Sequence, residues 1–162
     1  MTRIVEELGP NILRDWMGAA LGQRLGDGIG RKVFAYELNP RYVIKIEQSG
    51  FQNVIEWEIW SAVKDTAWAK WFAPARHVSG LGTILLMDRT LPAPRSAYPK
   101  RLPAFLGDLK YSNFGLLRGK LVCHDYGTLT NFLAGNHASA KMRKADWWDQ
   151  NDGSSFDDSA KT

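Results

Sequence analysis

F-L-G-D-L-K-Y-S-N-F-G-L-L-R-G-K-L-V-C-H-D-Y-G, residues 105–127, gathers an acid, a lysine and an amide in D-x-K-x-x-N at Asp108, Lys110 and Asn113, then D-Y-G at Asp125–Gly127. Between the two groups, Gly115 to His124 reads as a hairpin, with apolar Leu116 and Leu117, a tight turn at Arg118 and Gly119, then apolar Leu121 and Val122. A hairpin returns the chain beside its start. Asn113 and Asp125, at its outer ends, are therefore expected to approach each other and offer two hard oxygen ligands to one divalent cation. The competing reading is two loops with solvated acids. Cys123 and His124 beside Asp125 do not make a nucleophilic pair, because neighbours on a strand point to opposite faces.

Upstream of this stretch, four prolines between 92 and 103 exclude a long helix from Leu91 to Leu102. Before them, Thr83 to Met87 reads as an apolar strand ending at Asp88, Arg89 and Thr90. Trp68 and Trp71 read as core. A helix is expected from about Gln52 to Lys64, with Glu56, Ile59, Trp60 and Val63 at i, i+3, i+4 and i+7, so Glu56 falls on the apolar stripe. A carboxylate there needs a partner, since burying it unpaired costs several kcal/mol or neutralises it. The nearest basic residue comes from the strand Tyr42–Glu47, where alternation puts Val43, Lys45 and Glu47 on one face. Lys45 with Glu56 is the expected ion pair; the alternative is a Glu56 at the stripe's edge reaching water.

Earlier still, Gly26, Gly28 and Gly30 interrupt a strand that resumes at Val33, Phe34 and Tyr36. Such a turn can fold over phosphates and offer N–H groups, although an ordinary glycine hairpin has the same pattern. The strand after it argues against the dinucleotide fingerprint, which needs a helix. Asn11 to about Leu21 has helical spacing with Asn11 as cap. Beyond Gly127, Leu129 to Leu133 and Ala138 to Trp148 are expected as short helices, and the acidic end of the chain as mobile.

The chain of 162 residues is long enough for one domain with a real core. One cysteine excludes an internal disulfide framework, and the acids near the N-terminus do not suit a signal peptide. No stretch approaches eighteen apolar residues, so no membrane segment and a cytoplasmic setting are expected. The net charge of +4 is uneven: 146–162 holds five aspartates and one lysine, leaving 20 basic and 12 acidic residues, or +8, in 1–145. A basic body attracts phosphate, nucleic acid or acidic protein. A nucleic-acid module rests on that charge and the tryptophans alone, with no repeated aromatic and basic pattern.

In their order, the glycine loop, strand lysine, helix glutamate, apolar strand with linker, D-x-K-x-x-N and D-Y-G resemble the protein kinases over about residues 22–127. The resemblance implies an α+β fold with an antiparallel-sheet N-lobe carrying one packed helix, and a strongly truncated C-lobe. It divides the chain into an N-terminal packing helix (1–21), an N-lobe (22–90), a reduced C-lobe with the catalytic and metal-binding hairpin (91–145) and an acidic tail (146–162). By likeness, Gly26, Gly28 and Gly30 lie in the phosphate loop, Val33 closes it, and Val43 covers an adenine ring. Lys45 would hold the phosphates and pair with Glu56, while Met87, Asp88 and Thr90 would form the gatekeeper and hinge. Asp108 looks like the catalytic aspartate, Lys110 like the lysine that neutralises the transferred phosphoryl group, and Asn113 and Asp125 like magnesium ligands. ATP and magnesium are the implied ligands.

The departures are specific. Arg31 stands where the family has its third glycine, and Leu106-Gly107 replaces the His-Arg before the catalytic aspartate. After Gly127 only 35 residues follow here, without A-P-E and without room for the large helical lobe. The set is similar to the short kinase-like proteins of bacterial viruses. It implies an ATP- and magnesium-dependent phosphotransferase acting on a protein or on itself, or alternatively a nucleotide-binding regulator of a protein partner.

Overall fold

The computed structural model describes residues 9–28, 30–49, 51–136 and 140–149; the first residues, His137 and nearly all of the acidic tail lie outside that set. Helix α1 spans Pro10–Ala20. It starts one residue earlier than expected, with Gly9 rather than Asn11 at the cap position, because Pro10 fits the first helical turn, where its fixed φ is helical and no N–H is required.

Strands β1 (Leu21–Gly28) and β2 (Arg31–Tyr36) form the glycine-rich hairpin, and Gly30 takes φ +80° in its turn, a conformation that side chains resist. Strand β3 (Tyr42–Glu47) follows, then helix α2 (Phe51–Val63), β4 (Ala75–Val78) and β5 (Ile84–Asp88). The five strands form one antiparallel sheet in the order β1-β2-β3-β5-β4. Register places Arg31 opposite Glu47, Val33 opposite Lys45 and Ala35 opposite Val43, so these six share one face. Glu47 is buried there and accepts from the N–H groups of Gln52 and Asn53 at 2.9 and 3.1 Å. An acid at these free donors caps α2 and complements its dipole.

The second half is built from short pieces. Strand β6 (Arg101–Pro103) pairs with β9 (Met142–Lys144), and β7 (Phe114–Leu117) pairs with β8 (Lys120–Cys123) in the expected hairpin. Its turn residues Arg118 and Gly119 have φ of 51° and 77°, both positive, as a two-residue hairpin turn requires. The helix expected over Ala138–Trp148 is absent from the described part of that range. Main-chain pairing with β6 outweighs local propensity there, and Tyr111 and Leu109 bind the main chain of Trp148. Trp147 stacks with Tyr111 and meets Tyr98 and Phe114 edge-on, so Asp146–Asp149 belongs to the folded body rather than to a tail.

The core joins both halves. Ile55, Ile59 and Val63 of α2 pack with Leu85, Met87, Leu102, Leu106 and an aromatic group of Phe72, Tyr126 and Phe132. Phe72 lies 5.0 Å from the Tyr126 ring, whose hydroxyl donates to Ala73 O at 2.7 Å, satisfying the one polar atom of a fully buried side chain. Beyond β5, Leu91 exchanges two main-chain bonds with Leu116 of the hairpin, at 2.9 and 2.8 Å. The fold is thus α+β, an antiparallel five-stranded sheet with two helices, and among the described residues no helix is long and apolar enough to cross a membrane.

Candidate active site: a cleft between the sheet and the hairpin

A cleft of about 580 Å³ opens between the shared sheet face and the β7–β8 hairpin. Its size suits a nucleotide-sized ligand. Of the residues expected to bind, Gly26, Val33, Val43, Lys45, Met87, Asp88 and Thr90 line it from the sheet side, and Lys110, Asn113 and Asp125 from the other. Leu25, Arg31, Ser112 and His124 complete much of its wall and were not among the expected site residues. Gly30 stands in the loop turn with open space where a side chain would be, while Gly28 closes β1 opposite Arg31.

Lys45 and Glu56 form the expected pair, with Nζ 2.9 Å from both carboxylate oxygens, and the lysine and glutamate are 3% and 0% exposed. Burial pulls the Lys45 amine downward, and Glu56 offsets part of that. Nζ also donates to His124 O. Glu56 Oε1 accepts in addition from the N–H groups of Tyr126 and Gly127 at 3.1 and 3.2 Å. D-Y-G is thereby fixed to α2 through one carboxylate. Gly127 is needed for that approach, since a Cβ there would meet Gln52 Cβ at 2.7 Å and its carbonyl oxygen at 2.9 Å.

Asn113 and Asp125 do approach through the main chain, with His124 N and Asp125 N donating to Asn113 O. Their side chains turn to different partners. Asn113 Nδ2 donates to Asp108 Oδ2 at 2.8 Å, and Asp125 Oδ1 accepts from the Arg31 guanidinium. Burial alone would raise the Asp125 carboxyl, but the charges of Lys45 and Arg31 outweigh it and hold the group below its ordinary value. Asp108 is exposed and lines a second cavity of about 520 Å³ with Phe105, Thr128, Leu129 and Phe132. It does not line the first cleft, to which it is joined through Asn113. Lys110 places its ammonium over the Trp148 ring at 5.8 Å, within reach of a cation–π attraction.

At the end of β5, Asp88 is buried and its carboxylate receives a two-pronged contact from Arg76 at 2.6 and 2.7 Å. The N–H groups of Asp88 and Arg89 are bonded to Pro74 and Arg41. Thr90 Oγ1 meets His124 Nδ1 at 2.7 Å while Nε2 lies 2.9 Å from Ser112 O, so the imidazole donates from Nε2 to the carbonyl and accepts from the hydroxyl at Nδ1. This arrangement suits a neutral ring: burial, then the Lys45 charge, lower its pKa to about 4. Cys123 is buried and its thiol is pushed up by burial, which leaves it inert.

Among the described residues, no group of three or more His, Cys, Asp or Glu could hold a metal. Asn113 and Asp125 suit, by donor type, a magnesium ion that keeps waters and phosphate oxygens for its other positions. Arg31 already engages one of those two residues. Comparison of the chain with protein-family models, with curated proteins and with solved structures finds no match.

Proposed function

We propose that the chain is a phosphotransferase of reduced, protein-kinase-like construction that uses ATP with magnesium and transfers the γ-phosphoryl group to a protein or to itself. The observation that carries this reading is the buried Lys45–Glu56 pair at the back of a cleft of nucleotide size, fixed to D-Y-G by two main-chain bonds. Packing alone does not call for this pair, because two apolar side chains would fill the same space without desolvating two charges. Lys45 lines the cleft, and in this reading an anion takes over one of the three bonds its ammonium makes.

In this reading Val33, Val43 and Met87 enclose the base, and Lys45 binds phosphate oxygens. Magnesium, when bound, would offset the charge of the phosphates, held by Asn113 and Asp125. Asp108 would take the proton of an acceptor hydroxyl as its oxygen attacks the γ-phosphorus and ADP leaves. Lys110 would neutralise charge on the transferred group. Positioning and charge are the main contributions such a site makes. Calorimetry of ATP with and without magnesium, on the unaltered protein and on Asp125→Ala, tests the binding half: no binding in any condition ends the proposal. Phosphate transfer should disappear in Asp108→Ala, and turnover surviving in both Asp108→Ala and Asp125→Ala would end the catalytic half.

A nucleotide-binding regulator of a partner protein is favoured by one observation, the guanidinium of Arg31 seated on Asp125. Full partner regulation by Asp108→Ala protein would support it over catalysis.

A further inference from the structure

Arg31 is 5% exposed, and from the first position of β2 its guanidinium reaches two carboxylates distant in sequence, Glu56 and Asp125. The two contacts are unequal. Nη1 lies 3.1 Å from Glu56 Oε1 yet makes no aligned hydrogen bond, although it is buried. Nη2 donates to Asp125 Oδ1. Glu56 has other partners in Lys45 and two N–H groups. Asp125 has a side chain 43% exposed to the cleft, and its ion-pair partner is Arg31. A guanidinium thus neutralises the carboxylate proposed above as a metal ligand, while its other nitrogen, buried beside Glu56, has no aligned acceptor.

We propose that Arg31 competes with the divalent cation for Asp125 and, once displaced, donates to the phosphates of the bound nucleotide. This rests on reading the cleft as a nucleotide site. Two cations beside one carboxylate repel each other, and that repulsion weakens the hold of either. Metal alone binds poorly for that reason. Metal and phosphate arriving together exchange partners: the cation takes Asp125, and the guanidinium, planar and matched to phosphate oxygens, takes the anion. Arg31 therefore couples metal and nucleotide binding in a way that a glycine at this position would not.

The test measures Mn²⁺ binding by paramagnetic resonance without nucleotide, and ATP binding by calorimetry in chelator, for the unaltered protein, Arg31→Gln and Arg31→Lys. A neighbouring cation changes the affinity of a carboxylate for a proton by one to three powers of ten, so Arg31→Gln is expected to bind Mn²⁺ about tenfold more tightly. The same variant is expected to bind metal-free ATP about tenfold more weakly, through loss of a charge-assisted donor. Arg31→Lys keeps the charge without the fork and falls between for both ligands. A damaged fold would weaken both together, so the opposite signs identify competition. Mn²⁺ affinity unchanged or weaker in both variants, in protein that binds ATP, overturns the role of Arg31 alone. No ATP binding by the unaltered protein overturns the nucleotide reading and this proposal with it.

Discussion

Two ion pairs stand side by side in the cleft and differ in kind. Lys45–Glu56 is buried, and every charge in it has several partners. Arg31–Asp125 joins a buried guanidinium to a carboxylate that faces solvent. The first cannot be opened without leaving a charge in the protein interior. The carboxylate of the second lines the cleft and is 43% exposed, so its pair can open without burying a charge there. Position relative to solvent, more than distance, separates a structural pair from an exchangeable one.

The largest expected effect breaks the first pair. Lys45→Ala leaves Glu56 buried with its negative charge, and a loss of about 3–5 kcal/mol is expected in chemical denaturation. A loss below about 1 kcal/mol would mean that Arg31 alone suffices for Glu56. The next concerns His124, whose main-chain oxygen accepts from Lys45 and whose ring is held by Thr90 and Ser112. Its pKa of about 4 lies below the ordinary value of 6.5, so between these the unfolded chain binds more protons, and stability rises with pH across that window and levels above it. The full shift corresponds to at most about 3 kcal/mol, less because the ring is partly open to the cleft. His124→Gln should flatten the pH 4–6.5 limb of the unfolding curve.

Gly127→Ala forces a Cβ onto Gln52 and loosens D-Y-G from α2, with about 1–3 kcal/mol lost in thermal unfolding. An unchanged Tm would show that α2 yields, and that Glu56 is less firmly anchored than its bonds suggest. The smallest effect belongs to the second pair. Asp125→Asn should change stability by about 1 kcal/mol, because the amide oxygen can still accept from Arg31 and Glu56 stays beside the guanidinium, while altering metal binding. A larger loss in urea would make Arg31–Asp125 structural and remove the contrast.

Both the pair and the hairpin were legible because each rests on a local period. Alternation put Lys45 on the inner face of β3, helical phase put Glu56 on the inner face of α2, and Arg118-Gly119 marked the turn. Arg31 was not legible as a site residue. A basic residue at a strand start reads as solvated, and what buries it is a carboxylate 25 positions on and another 94 positions on. Glu47 was placed on the right face, yet its capping of α2 depended on the short link between β3 and the helix. β9 was missed for a different reason: Met142–Lys144 has no strand pattern, and β6 supplies the order. Trp147 looked like the edge of an acidic tail because tertiary ring contacts leave no period in the sequence.

The double bond between Leu91 and Leu116 lies where the chain passes from the sheet to the hairpin. Gly115 presses the same place, since any Cβ there would meet Thr90 Oγ1 at 2.6 Å and Leu91 O at 2.8 Å. The two walls of the cleft are thus joined along one edge by main-chain bonds that do not depend on which side chains line it, so their register is kept whatever the lining residues become.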